Sequence, residues 1–361
     1  MHLDAAALTS LQVAQMWRAI LPSGRDLDWR IPASGSNRNA AIRIGIFMNF
    51  GNQTTLRDQV VLNGAGVHSN EPVRIVIRPA AINTGVVFLR KGLPGGRERR
   101  IEARWNKVSL TELCTVIGQK DDASVSTIEH LLSALSGLGV DNALIEIDGP
   151  EVPIMDGSAA VFVEAIDSVG LARQSAPRRF VKVLKTVRVE HNGAYSELRP
   201  GDNGLSLDVE IDFAAGPIGR QRKRLDLTPD RFRQELAGAR TFGFLRDVER
   251  LTKMGLALGA SLKNTVALDG ERVLNPEGLR FPDEFVRHKM LDAVGDLALA
   301  GLPLIARYRS FRSGHKMNVA VVEALFADRS AYTIVDAEAR REPRSELAYG
   351  YRPTAVLAEA R

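Results

Sequence analysis

From Thr54 onward the chain switches between a strand-like and a helix-like hydrophobic period, and it does so twice in the same order. PVRIVIRPA and TGVVFLR alternate or run apolar like strands. STIEHLLSALSGLG carries Ile128, Leu131, Leu132 and Leu135 at helical spacing, DNALIEIDG reads as a strand, and GSAAVFVEAIDSVG reads as a second helix. A basic, proline-containing break follows at Leu171–Phe180. Beyond it, FVKVLKTVRVEH, AYSELRP and LSLDVEIDF predict strands and residues 229–237 a helix. Residues 254–275 predict a turn-rich insert with short strands, Pro282–Ala300 a long helix, and AVVEALFAD a last one. Strands followed by helices, twice over, predict an α+β fold. Its units are two similar two-layer α/β sandwich domains related by duplication, over 54–174 and 178–330, with a linker near 172–178 and a C-terminal segment at 331–361.

Residues 1–53 have another texture. LPSGRDLDWRIPASGSNRN is rich in Pro, Gly, Ser and Arg without a sustained period, and only Leu8–Leu21 reads as a short amphipathic helix, so this extension is expected to be poorly ordered. For the rest, 45% hydrophobic and 25% charged residues are ordinary globular material. The net charge of +5 comes from short scattered basic groups, which argues against a nucleic-acid groove and allows an anionic small molecule. With 6% aromatic residues, the stacking platform of an RNA-binding sheet is missing. The single Cys114 excludes an internal disulfide and suits a reducing compartment. No run reaches the ~18 apolar residues of a membrane span, and the expectation is a cytoplasmic chain without a transmembrane segment.

The stretch FVRHKMLDAVGDL sets His288, Asp292 and Asp296 on one side of a helix, because positions four and eight residues on lie within about 80° of the first. Leu291, Val294 and Ala298 run beside them, so a half-buried helix is expected, with the polar trio at the edge of a core. Polar groups there need partners, and ion pairing, hydrogen bonding or metal coordination each answer that need. His288 and Asp292, at i and i+4, either support the helix as a pair or share an ion; the third polar group favours the ion. Among six histidines, His130 follows Glu129 at the start of a helix whose caps are expected to be Ser126 and Thr127. Taken alone, that pair is most simply a solvated carboxylate beside a satisfied histidine. His315, after the Ser-Gly of RSFRSGHKMN, reads as a loop histidine, either solvated or aimed into a cleft as an acid/base group. Thr241 in ARTFGFLRD reads first as a turn hydroxyl. No HExxH, cysteine cluster or nucleotide-cradling glycine loop occurs.

Six ordered stretches together resemble the UDP-3-O-acyl-N-acetylglucosamine deacetylase family, the zinc amidases of lipid A biosynthesis. They are GAGVH (Gly64–His68), RPAAINTGVVF (Arg78–Phe88), Ser126–Val163, ARTFGFLRD (Ala239–Asp247), Arg272–Gly301 and SGHKMN (Ser313–Asn318). The resemblance runs from about Thr54 to about Ala327 and leaves out the N-terminal extension. It implies that His130, His288 and Asp292 bind zinc, that Glu129 is the base, and that His315 is the acid with Asp296 orienting it. It places the Thr241 hydroxyl at the oxyanion and Lys289 near the reacting carbonyl and the diphosphate. It further implies an insert in each sandwich domain and a UDP-sugar substrate carrying an acyl chain; the chain is expected to act as a monomer. Within this reading Phe242 packs on the sugar or the chain, and Arg312 joins Lys289 at the diphosphate. Leu256, Leu258, Leu262 and Val266 either wall an acyl passage or form a satellite core cluster. The rival readings are a related zinc amidase on another N-acyl substrate and an inactive zinc-stabilised binding module. Glu129 and His315 argue against the latter, since a structural site needs neither base nor acid.

Overall fold

The computed structural model describes residues 51–337 apart from Lys120 and Ala215. The extension up to residue 50, with the expected Leu8–Leu21 helix, lies outside the described residues, as does 338–361.

One sheet is built from β1 (Val60–Ala65), β2 (Pro72–Pro79), β3 (Val86–Leu93), β4 (Arg97–Glu102) and β5 (Ala143–Ile147), in the spatial order β1-β2-β5-β3-β4. Strand β5 runs antiparallel to β2 and parallel to β3. In β2, Val73, Ile75 and Ile77 are buried and Arg74 faces water on the two-residue period, while Val76 is buried on the other face. A second, seven-stranded sheet holds β6 (Arg179–Val183), β7 (Val187–His191), β8 (Ala194–Pro200), β9 (Leu205–Asp212), β10 (Arg220–Asp226), β11 (Leu304–Phe311) and β12 (Tyr332–Asp336). Here β11 runs antiparallel to β8 and parallel to β9, with β7 and β10 outside them, so five strands follow the order and directions of the first sheet. Strands β6 and β12 add beside the start of β11.

The helices are α1 (Glu129–Leu138), α2 (Ala160–Val169), α3 (Leu245–Lys253), α4 (Glu284–Leu297) and α5 (His315–Ala327). Helix α1 ends at Gly139, whose left-handed φ of 81° lets its N–H reach the Leu135 and Ser136 carbonyls. Helices α1 and α4 pack on each other, and α4 also meets β9, β10 and α5. One apolar core therefore runs through both sheets' helices.

The expectation of a half-buried α4 is corrected. Twelve of its fourteen residues are buried, because the stripe that a solitary helix would turn to water faces α1 and α5 instead. The break at 171–180 is also no open linker: Leu171–Pro177 pairs antiparallel with Asn52–Leu56, and Arg179 already begins β6. Residues 332–336, expected in a C-terminal segment, belong to the second sheet as β12. The Ser126 and Thr127 caps are absent; Ile128 stands at the N-cap, and the Thr127 hydroxyl donates to Glu151 at 2.9 Å. His315 is not a loop residue but opens α5. Two small three-stranded sheets, within 108–125 and 242–273, stand outside the large ones, and α3 follows the first strand of the latter.

Candidate metal centre and active site

The crossing of α1 and α4 brings His130 against His288 and Asp292, residues more than a hundred positions apart in sequence. The two imidazoles meet edge to face, with ring centres 5.0 Å apart. Nε2 of His130 lies 3.5 Å and Nε2 of His288 lies 3.4 Å from Oδ1 of Asp292. A tetrahedral ion with bonds near 2.0–2.1 Å needs ligand atoms roughly 3.3–3.4 Å apart, so both of these separations suit an edge of such a site, and all three ligand atoms lie within 4.8 Å of one another. The Asp292 Oδ1 atom is buried without a hydrogen-bond partner, as a ligand oxygen awaiting a cation would be. His288 donates its Nδ1 proton to the Ala239 carbonyl at 3.1 Å, which leaves the Nε2 lone pair turned to the site. Burial pushes the His288 pKa down to about 3, so the ring is the neutral form a metal requires. The Asp292 carboxyl is held well below the usual carboxylate range: burial opposes this, but the charges around it, the Lys289 ammonium among them, outweigh it. These three residues fit a metal.

Glu129 and His315 flank the triangle. Their nearest atoms, Oε1 and Nε2, are 3.8 Å apart, and His315 Nε2 lies 4.0 Å from Asp292 Oδ2. Burial raises the Glu129 pKa against the pull of His315 and His130, which makes the carboxylate a better proton acceptor than an exposed one. His315 Nδ1 donates to Asp296 Oδ2 at 2.9 Å. Burial opposes its cation, but the charges of Asp296 and Glu129 prevail and push the pKa up to about 9. Asn318 Nδ2 supports the same Asp296 oxygen at 2.8 Å, while Tyr308 and Ser313 hydroxyls hold Asn318 Oδ1 at 2.6 and 2.7 Å. Lys289 donates from Nζ to Asp292 Oδ2 at 2.6 Å.

Glu129, His130, His288, Lys289, Asp292 and His315 open into a cavity of about 330 Å³, which Thr241 and Phe242 also line, while Asp296 and Asn318 lie behind it. Phe242 packs edge-on against Phe285 and Phe213 at 5.0 and 5.7 Å. The far walls are Phe213, Phe244, and Leu245, Val248 and Leu251 of α3. Of the two readings of the insert, the wall is not met at its leucines and valine. Leu256, Leu258, Leu262 and Val266 do not line the cavity; Val266 is wholly buried and Leu258 is 44% exposed. The insert does supply Ala257 and Ala260, and the small helix before it supplies the larger side chains. Arg312 is exposed and is not among the lining residues either.

Several residues that spacing does not single out complete the site. Arg240 is 1% exposed and donates from its backbone N–H and Nε to Glu284 Oε1 at 3.0 and 2.9 Å, clamping the Ala239–Thr241 segment onto α4. Buried Glu151 accepts from the N–H groups of His68 and Ser69 and from Thr127, which brings His68 to the cavity wall. Leu113, Thr127 and Ala257, all lining the cavity, hold positive φ without being glycine, a strain that persists where packing over-determines the backbone. Only the positive charge of Arg240 inside an apolar context was visible in sequence; its partner lies 44 residues away.

Two histidines and a carboxylate facing a lined cavity, with a second carboxylate and a third histidine beside them, define a candidate metallohydrolase. Residues 53–327 match the UDP-3-O-acyl N-acetylglycosamine deacetylase family, and the chain belongs to it. It is 49% identical, over 286 residues, to the UDP-3-O-acyl-N-acetylglucosamine deacetylases of Brucella ovis and Brucella canis, an alignment that covers 79% of this chain and 99% of each relative. The enzyme of the same name from Brucella melitensis is similar to the same extent.

Proposed function

We propose that this protein hydrolyses the N-acetyl group of a UDP-3-O-acyl-N-acetylglucosamine, releasing acetate and UDP-3-O-acyl-glucosamine for lipid A biosynthesis. The observation that carries the reading is the convergence of His130, His288 and Asp292 with Glu129 and His315 in one cavity of a chain of this family. Zinc, held by the three ligands, would supply Lewis acidity toward the amide carbonyl and toward the attacking water. Glu129 takes the proton from that water as its oxygen bonds to the carbonyl carbon. Lys289 and the Thr241 hydroxyl stabilise the oxygen on which negative charge develops. When the C–N bond breaks, the electron pair stays on nitrogen, and His315 delivers the proton that makes the amine a leaving group. Asp296 keeps the imidazole cationic and aimed. The apolar wall of Phe213, Phe244 and the α3 leucines and valine suits an acyl chain, and Lys289 is the cation within reach of the polar end.

The reading extends to architecture and setting. Two sandwich domains related by duplication, with the small sheets at 108–125 and 242–273 as their inserts, account for the shared strand order. The chain is taken to act as a monomer. Among the described residues no helix is long and apolar enough to cross a membrane, and a lone buried thiol suits the cytoplasm.

The test is acetate release from UDP-3-O-acyl-N-acetylglucosamine by the purified chain, with and without a chelator. No release under zinc-replete conditions would overturn the assignment, and equal release from an unrelated N-acyl sugar would replace it with the broader amidase reading.

A further inference from the structure

Glu129 and the Asp296–His315 pair come from opposite parts of the chain, yet one residue touches both. Thr115 lies just ahead of the strand Val116–Gln119 and is fully buried. Each of its polar groups is committed. Its N–H donates to Glu129 Oε2 at 3.0 Å, and its carbonyl accepts from Ile128 N–H at 3.4 Å, at the start of α1. Its hydroxyl donates to Asp296 Oδ1 at 2.6 Å across 181 residues of sequence.

We propose that Thr115 is a positioning residue that sets the general base and the general acid in one frame. This inference rests on the proton-handling roles given above to Glu129 and His315. The His315 and Asn318 donors both sit on Asp296 Oδ2, so they alone leave Oδ1 without a donor and the carboxylate held by one oxygen. A donor on Oδ1 holds the second oxygen as well, which steadies the carboxylate plane that orients the imidazole. The buried Oδ1 would otherwise lack a partner and would seek another orientation. The backbone of Thr115 meanwhile holds the Glu129 carboxylate and the first turn of α1. Base and acid are thereby tied through a side chain and a peptide group of the same residue, although neither contact reaches the reacting atoms.

Thr115→Val keeps the shape and the backbone contacts while removing the hydroxyl, and Thr115→Ser keeps the hydroxyl. Turnover, KM and zinc content are measured on UDP-3-O-acyl-N-acetylglucosamine. We expect Thr115→Val to lose about 10-fold in kcat, with KM and zinc content within about twofold of the parent. Thr115→Ser recovers to within about threefold of the parent rate. In a His315→Ala background, Thr115→Val adds no further loss, because the imidazole it orients is gone. Three outcomes each overturn the proposal: a Thr115→Val enzyme at parental rate, a Thr115→Ser enzyme as slow as the valine variant, or a full additional loss beside His315→Ala. If the valine variant does not fold, Thr115→Ala is compared with Thr115→Ser by the same criteria. A parent enzyme that releases no acetate overturns the function instead, so the two failures are distinct.

Discussion

Gly295 of α4 lies so close to the backbone of Glu129 in α1 that a methyl group on it would sit 2.0 Å from the Glu129 carbonyl oxygen. The helices cross at this point, and the crossing sets the distance from His130 to His288 and Asp292. Gly295→Ala must push α1 away, and backbone cannot yield as a flexible side chain does. Overpacking of this kind costs about 1–3 kcal/mol, and the displaced His130 weakens metal binding as well. Urea unfolding together with zinc titration checks this; unchanged values in both would show that the crossing is not tight.

His315 Nε2 lies 3.8 Å from the Glu129 carboxylate, and burial keeps the proton affinity of that carboxylate high. Glu129→Gln preserves the shape and the hydrogen bond from Thr115 N–H. It is expected to lower kcat by about 10²-fold or more while zinc stays stoichiometric, the scale of a lost general base. Near-parental turnover would assign the base elsewhere.

For His315 the pH dependence follows from the raised pKa of about 9 against an unfolded value near 6.5. A cation favoured by the fold stabilises it fully below the unfolded pKa, and that contribution disappears as pH climbs through the folded one. Chelator-treated protein should therefore lose stability between about pH 6.5 and about pH 9, and Asp296→Asn should flatten that decline. Denaturant midpoints at a series of pH values decide it, and parallel curves for parent and variant would contradict the pairing.

Removal of metal should stop turnover, and zinc should restore it. Since an ion held only by the folded chain stabilises that state, zinc at 100 times its Kd should add about 2.7 kcal/mol. His288→Ala should lose both the stoichiometric ion and this increment. Calorimetric unfolding with and without zinc reads the difference.

Leu251 lines the cavity from α3, and Leu251→Trp should shorten the apolar passage. Losing contact with two methylenes removes about 1.6 kcal/mol, roughly 15-fold in kcat/KM. Substrates with a series of acyl lengths should show the loss only above a threshold length; a uniform loss would move the chain to another surface.

The hydrophobic periods by themselves determined the α/β succession, most helix positions and the polar stripe of α4, because a helix repeats locally and His288 and Asp292 share a turn. The resemblance carried by the six ordered stretches named His130, Glu129 and His315 as well. Which groups meet was decided by tertiary structure. Spacing cannot show that Gly295 admits α1, that Arg240 and Glu284 neutralise each other inside the core, or that the Thr115 hydroxyl finds Asp296, since each partner lies far away along the chain. The two readings of the insert stayed open for the same reason: leucines in a Gly-rich insert look like lining residues or like core, and the direction a side chain takes from a loop depends on what the loop packs against. Local sequence specifies a repeat and a turn; burial and pairing between distant elements specify a site.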